Sequence, residues 1–325
     1  MMPVSTTPLL QVIGLTKHYE SPRRWLIPQQ APVLAVDDVS FQIDTAETLS
    51  LVGESGCGKT TTAKCVMRLI EPTSGSVLLQ GVDLLSLDAP AMRQKRRDLQ
   101  IIFQDPYTSL NSRLKVSDIV AEPLINFTTL SRAEREEQVQ WLFAKVGLRP
   151  EWASRYPHEF SGGQRQRLGI ARALALKPKL MVCDEPVSAL DVSVQAQVVN
   201  LLTDLQDEFG IALLFVAHDL AVVRHISHRV AVMYLGHIVE ITTRDNLFDK
   251  PLHPYTEILL SSVPVPNPRQ QANRRLLEGD PPSPSAPPSG CRFHTRCPLA
   301  QAICKEQKPE LGLRQSAHWV ACHFR

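Results

Sequence analysis

The sequence predicts an α/β fold: a P-loop unit on a mainly parallel sheet, an antiparallel part, a helical subdomain and a small cysteine-bearing C-terminal extension. Three observations point to it. The strand-like run TLSLVG ends in a glycine-rich turn, and TTTAKCVMRLI follows with helical spacing; that order makes a phosphate-binding unit. The apolar runs LMVCD and LLFVAH read as strands separated by a helix rich in Val, Leu and Gln, and such alternation indicates a parallel sheet covered on both faces. Residues from about Asp88 to Leu176 carry mostly helical patterns.

Taken in order, LLQVIGL and VLAVDDVSFQI are strands. Between them ESPRRWLIPQQAP, residues 20–32 with three prolines, is an inserted loop. SRAEREEQVQWLFAKVGL is a helix opened by Ser131 and Glu134 in a capping-box pattern and closed at Gly147. QRQRLGIARALAL is a second helix, starting just after a Ser-Gly-Gly triplet, with Leu168, Ala171, Leu174 and Ala175 on one face. AVMYLGHIVE is a hairpin turning near Gly236. After Pro254 the composition changes, and DPPSPSAPPSG, residues 280–290 with five prolines, reads as an extended linker. No internal repeat occurs, so one nucleotide-binding unit is present rather than two in tandem.

At 325 residues the chain accommodates one large domain and an appendage, and 43% hydrophobic residues suffice for a buried core. Lysine plus arginine number 35 against 33 acids, a balance with no general attraction for nucleic acid or anionic lipid. No run of 18 apolar residues exists, so no membrane span is expected. The start MMPVSTTPLLQ lacks a charged region followed by an apolar stretch, so no signal peptide is expected and the cytosol is the anticipated compartment. Disulfides are disfavoured there, although four of seven cysteines crowd the last 35 residues.

Gly53-Glu54-Ser55-Gly56-Cys57-Gly58-Lys59-Thr60 matches G-x-x-x-x-G-K-[ST] after a strand and before a helix, the context that separates a phosphate loop from an ordinary glycine turn. The glycines let backbone N–H groups and the helix N-terminus converge on phosphates. Lys59 is expected to reach the β- and γ-phosphates and the Thr60 hydroxyl to bind Mg²⁺, with Thr61 beside it in the nucleotide site. Leu180-Met181-Val182-Cys183-Asp184-Glu185 is an apolar strand ending in two acids that need partners. Asp184 suits a Mg²⁺ contact and Glu185 a general base acting on water. Ser161-Gly162-Gly163-Gln164 places two glycines at a helix start, a second anion site that makes sense if it serves the ATP of a partner chain. The flanking Arg165 and Arg167 belong either to that site or to the solvated surface.

Together these residues resemble the ABC transporter ATPases, whose signature is L-S-G-G-Q; Phe160 here stands in place of the leucine. The resemblance covers roughly residues 9–250. It implies that Tyr19 stacks on adenine, Gln104 touches Mg²⁺ and senses a membrane subunit, Asp191 crosses between two cassettes, and His218 contacts the γ-phosphate. It implies Glu185, His218 and Gln104 as catalytic residues, ATP and Mg²⁺ as cofactors, and Thr60, Gln104 and Asp184 around the metal. Two cassettes close face to face on two ATP molecules, each held between one chain's phosphate loop and the other's Ser-Gly-Gly-Gln. Phosphoryl transfer to water then relies on positioning and charge neutralisation. ABC-type ATPases of DNA repair or translation are the rival reading; those carry paired cassettes, coiled-coil arms or zinc insertions, none visible here.

A narrower resemblance, to ATPase subunits of bacterial dipeptide and oligopeptide importers, rests on His253-Pro254-Tyr255-Thr256, Pro106-Tyr107-Thr108-Ser109-Leu110-Asn111, Glu159-Phe160-Ser161 and the Pro-rich and cysteine-bearing tail. The insert around Trp25 is similar to that of the second ATPase subunit of such systems. This implies a cassette over residues 9–260 with its helical subdomain at about 88–176, and an extension over 261–325. The implied partners are a non-identical sister ATPase, two transmembrane permease subunits and, indirectly, a substrate-binding protein, at the cytoplasmic face of the inner membrane. Nickel and glutathione importers belong to the same group, so the cargo stays open.

Cys291, Cys297, Cys304 and Cys322 are expected to hold one metal centre in a segment with too little core to fold alone. The intervening counts of five, six and seventeen residues fit structural zinc poorly, and a [4Fe–4S] cluster requires no single spacing. The resemblance likewise implies an iron–sulfur cluster. Zinc is the alternative, with His294, His318 or His323 available to replace a cysteine.

Overall fold

The computed structural model of the chain describes residues 7–20, 31–261, 280 and 282–325. Most of the insert at 20–32, including Trp25, lies outside the described residues, as does 262–279. The strands are β1 (Leu10–Tyr19), β2 (Val33–Ile43), β3 (Thr48–Val52), β4 (Ser74–Leu79), β5 (Val82–Asp83), β6 (Leu99–Ile102), β7 (Leu180–Asp184), β8 (Ala212–Val216), β9 (Arg229–Tyr234), β10 (His237–Thr243), β11 (Gly312–Gln315) and β12 (His318–Val320). The helices are α1 (Lys59–Val66), α2 (Ala89–Lys95), α3 (Pro106–Ser109), α4 (Val116–Phe127), α5 (Arg132–Lys145), α6 (Gly162–Leu174), α7 (Val192–Phe209), α8 (Leu220–Ile226), α9 (Arg244–Asp249), α10 (Pro254–Ser261) and α11 (Ala302–Glu306). Among the described residues no helix is long and apolar enough to cross a membrane.

Two compact units form, each from discontinuous segments. The first contains Ile43–Thr48 and Leu79–Val216. Its sheet strands β6, β7 and β8 run parallel, Leu99 opposite Leu180 and Leu180 opposite Ala212. Every residue of β7 and β8 is buried, as continuous apolar strands in a covered parallel sheet must be. The stretch from Asp88 to Leu176 is helical as expected except for β6, whose short LQII run finds a partner strand in β7. Ser131 caps α5 with the full capping box: its Oγ accepts from the Glu134 N–H at 3.3 Å, and its own N–H donates to Glu134 Oε2 at 2.6 Å.

The second unit contains Gln11–Gln42, Leu49–Leu78 and the chain from Ala217 onward. In one sheet β1 lies between β2 and β4. In the other, β3 pairs parallel with β9, β9 turns through Leu235 and Gly236 into antiparallel β10, and β12 pairs antiparallel with β10. The tail therefore does not hang free: β11 and β12 continue a sheet edge, with Glu240 opposite Val320. The described part of the Pro-rich stretch is irregular, as the prolines require, but it turns rather than extends. Ala286 N–H donates to Ser283 O at 3.0 Å, and Pro284 O accepts from the Leu34 N–H at 3.1 Å.

Candidate functional site

The phosphate loop joins β3 to α1. Gly58 sits at φ 107°, and a Cβ there would meet the Ala35 carbonyl oxygen at 2.2 Å, so only glycine lets the loop pass. Lys59 is 5% exposed, and its ammonium donates to Gly53 O at 2.8 Å and Glu54 O at 3.0 Å. These carbonyls hold the side chain folded over the loop. Thr62 Oγ1 donates to Gly58 O at 3.0 Å and closes the first helical turn. Cys57 is buried beside the lysine, and burial pushes its thiol up, so it stays a neutral packing group.

At the end of β7, Asp184 is 3% exposed. Glu185 follows at φ 46°, a left-handed backbone unusual for a non-glycine residue, and its N–H donates to Val216 O at 3.1 Å. That turn carries its carboxylate to Gln104, whose Nε2 donates to Glu185 Oε2 at 2.8 Å. Two expected site residues, 81 positions apart, thus meet. Asp105 next to Gln104 caps α3, accepting from the Tyr107 N–H at 2.7 Å.

The Ser-Gly-Gly-Gln sequence lies within the start of α6 rather than before it. Ser161 is the N-cap, and Ser161 with Gln164 forms a complete capping box, Ser161 N–H to Gln164 Oε1 at 2.9 Å and Gln164 N–H to Ser161 Oγ at 3.3 Å. The Ser-x-x-Gln spacing was the signal for this. A Cβ on Gly163 would meet Val194 Cγ1 at 2.3 Å, so the second glycine lets α6 approach α7. Phe160 is buried edge-on against Trp152, ring centroids 5.8 Å apart. Arg165 and Arg167 are both engaged by groups of their own unit. Arg165 donates to the carbonyls of Pro157 and His158 and covers the Tyr107 ring, while Arg167 donates to Val146 O and Gln197. Asp191 is exposed at the N-cap of α7 without a side-chain cap bond.

Tyr19 is 39% exposed at the end of β1, with Lys17 Nζ 5.1 Å from its ring centroid, and His218 is exposed between β8 and α8. Tyr19, Gly53 to Thr61 and His218 belong to one compact unit; Gln104, Ser161 to Gln164, Asp184, Glu185 and Asp191 belong to the other.

Comparison with known proteins decides the family. The ABC transporter pattern matches residues 36–188, and the pattern for the oligopeptide/dipeptide transporter C-terminal region matches residues 239–304. A probable peptide ABC transporter ATP-binding protein of Sinorhizobium fredii is 58% identical over 98% of this chain and 90% of its own length. The oligopeptide transport ATP-binding protein AppF of Bacillus subtilis is 54% identical over 90% of each chain, and OppF of Salmonella typhimurium is 52% identical over 97% and 95%. The chain belongs to the ATP-binding subunits of ABC transporters, in the oligopeptide/dipeptide group. As a member of the ABC ATPases it carries their fold. The post-hydrolysis dimer of the ATP-binding cassette MJ0796, bound to ADP and Pi, aligns with TM-score 0.64 and 29% identity over 72% of this chain and 98% of that one.

The C-terminal family pattern includes Cys291, Cys297 and Cys304 and stops short of Cys322. All four thiols are free. Burial, ahead of the influence of the other tail thiols, pushes the Cys291 thiol up to about 11 and pushes Cys297 up as well. The expected metal centre is nonetheless not formed: among the described residues no group of three or more His, Cys, Asp or Glu is placed to hold a metal ion. The four cysteines sit in different local structures: Cys304 within α11, Cys322 just after β12, and Cys291 and Cys297 in the turn-rich stretch before α11. The donor chemistry, four thiols in a partly buried cluster, does suit a thiolate-ligated centre.

Two neighbours of the phosphate loop were not anticipated. Tyr255 Oη accepts the Glu54 N–H at 2.9 Å, and Arg296, between two tail cysteines, binds the Glu54 carboxylate. The His253–Thr256 motif marked the first place without its purpose; a single arginine 242 positions from its partner left no sequence signal.

Proposed function

We propose that this ABC ATPase subunit hydrolyses ATP to drive uptake of dipeptides or oligopeptides through a separate permease at the cytoplasmic face of the bacterial inner membrane. The hydrogen bond from Gln104 to Glu185 carries the reading: it ties the base to the residue that senses Mg²⁺ and the permease. In this scheme Gly53 to Thr61 cradle the phosphates, Tyr19 stacks on adenine, and Thr60, Gln104 and Asp184 surround Mg²⁺. Glu185 takes the proton of the attacking water, and His218 holds the γ-phosphate. Ser161, Gly162, Gly163, Gln164 and Asp191 serve the ATP of a sister cassette, so two chains complete two sites. A groove of about 750 Å³ in the helical subdomain, lined by Lys115, Asp118, Ile125, Arg135 and Glu136 among others, supports permease docking there. Ile125 is 56% exposed in it, an apolar spot ringed by both charges.

Residues 9–260 form the cassette in this reading and 261–325 its extension. Cys291, Cys297, Cys304 and Cys322 are the thiolate ligands of a metal centre when one is loaded, [4Fe–4S] in preference to zinc, and its contribution is to hold the small extension folded. The same role for another solute, nickel or glutathione, is the alternative. The deciding experiment measures uptake of radiolabelled di- and oligopeptides, nickel and glutathione in cells lacking the gene, with wild type or Lys59→Ala restored. Peptide uptake returning only with wild type supports the proposal; return of another solute alone overturns the peptide assignment.

A further inference from the structure

Glu54, the second residue of the phosphate loop, is held at three points from within its own unit. Its carboxylate receives both arms of Arg296, Nη1 to Oε2 at 2.9 Å and Nη2 to Oε1 at 3.3 Å. Its N–H donates to Tyr255 Oη at 2.9 Å. Its carbonyl accepts from Lys59 Nζ at 3.0 Å. The Arg296 and Tyr255 contacts hold the first half of the loop independently of Lys59.

Those two points come from the peptide-importer parts of the chain. His253 Nδ1 accepts the Tyr255 N–H at 3.1 Å at the start of α10, which fixes where the tyrosine points. Tyr255 packs in an aromatic cluster with Tyr234, at 4.8 Å between centroids, and with Phe293, at 5.4 Å. All three rings are essentially inaccessible to solvent. Phe293 stands three residues before Arg296 in the tail, so the tail enters this core and delivers the guanidinium to Glu54. Arg296 has a 5% exposed side chain, and its Nε is buried without a hydrogen-bond partner. The guanidinium supplies a two-pronged contact to the carboxylate that a lysine cannot. Arg292 braces the same tail segment through the Leu235 carbonyl and the Asp37 carboxylate.

We infer that Arg296 is a positioning residue for ATP binding: the tail clamps Glu54 and so pre-shapes the phosphate loop. The inference rests on the ATPase activity of the family and not on which solute is moved. Its test is titration of a fluorescent ATP analogue against the full-length chain, with ATPase kinetics of the assembled transporter. Arg296→Ala and Glu54→Ala are each expected to weaken nucleotide binding about 5- to 30-fold, the factor associated with ordering one backbone residue. The double variant is expected to lose no more than either single one, because both remove the same clamp. For Arg296→Ala, KM for ATP is expected to rise with kcat at saturation nearly kept, and Arg296→Lys to fall between wild type and Arg296→Ala. A folded Arg296→Ala chain binding within twofold of wild type, or additive losses in the double variant, overturns the clamp. If Arg296→Ala fails to fold, Arg296→Lys and Arg296→Gln are judged by the same binding and additivity criteria.

Discussion

Replacing Glu240 by alanine removes the central acceptor of the joint between β10, α10 and the tail. Glu240 is fully buried and receives three donors: the Leu252 N–H at 2.8 Å, the His253 N–H at 3.0 Å and His318 Nε2 at 2.6 Å. A buried donor left without a partner costs about 1–3 kcal/mol, so three cost about 3–9 kcal/mol, with water entering the space bringing the loss toward the lower end. Such a loss is a large part of the roughly 5–15 kcal/mol that holds a typical domain. At about 2–4 °C per kcal/mol for a chain of this size class, the melting temperature should fall by about 6 °C or more. The loss should also release the tail, so Cys304 and Cys322, both buried, should react with a thiol reagent faster in the variant. The pH dependence has a definite sign. Burial by itself raises the Glu240 carboxyl, but hydrogen bonds, from His318 and the two main-chain N–H groups among others, outweigh it and hold it below the usual 4.5. A group whose folded pKa is depressed stabilises fully above its unfolded value and loses that contribution as pH falls through the folded one. The stability gap between wild type and Glu240→Ala should therefore be constant near neutrality and narrow below about pH 4.5. A melting temperature within about 2 °C of wild type, with unchanged thiol reactivity, would refute the reasoning.

Glu185→Gln should leave ATP binding intact while lowering turnover about 10²- to 10⁴-fold, the usual value of a positioned base, and should trap a closed ATP-loaded dimer visible by size-exclusion chromatography. Near-normal ATPase in complexes carrying the change in both cassettes excludes that role. The isolated chain should hydrolyse ATP poorly until a sister cassette is added, because Ser161 to Gln164 have no ATP to serve in a monomer; full activity from a dilute monomer counts against it. Anaerobic purification should yield a brown protein with iron and sulfide near four each per chain, as a [4Fe–4S] cluster requires. Stoichiometric zinc in a colourless protein eliminates the cluster, and four titratable thiols in a metal-free, folded tail eliminate any metal.

Much of the site was legible because its chemistry is local in the chain. The phosphate loop is one continuous stretch whose glycines and lysine are readable as a motif, with Gly58 at a positive φ. Ser131 with Glu134 and Ser161 with Gln164 are capping boxes readable as letters three apart. The strands β7 and β8 announced themselves as unbroken apolar runs, since both their faces are covered. Other features depend on partners distant along the chain. Gln104 and Glu185 meet only because β7 carries the acid to its end and a left-handed turn re-aims it. Arg165 and Arg167 could be placed from spacing in the anion site or on the surface, and their bonds to the carbonyls of Pro157 and Val146 are not encoded in that spacing. The tail read as a linker followed by cysteines, whereas tertiary structure made it a sheet edge on β10 and a clamp on Glu54. Periodicity and motif spacing report what a residue does with neighbours a few positions away. A salt bridge across 242 positions arises only when the sheet, the aromatic cluster and the buried Glu240 have together decided where the tail lies, and that decision belongs to the folded chain.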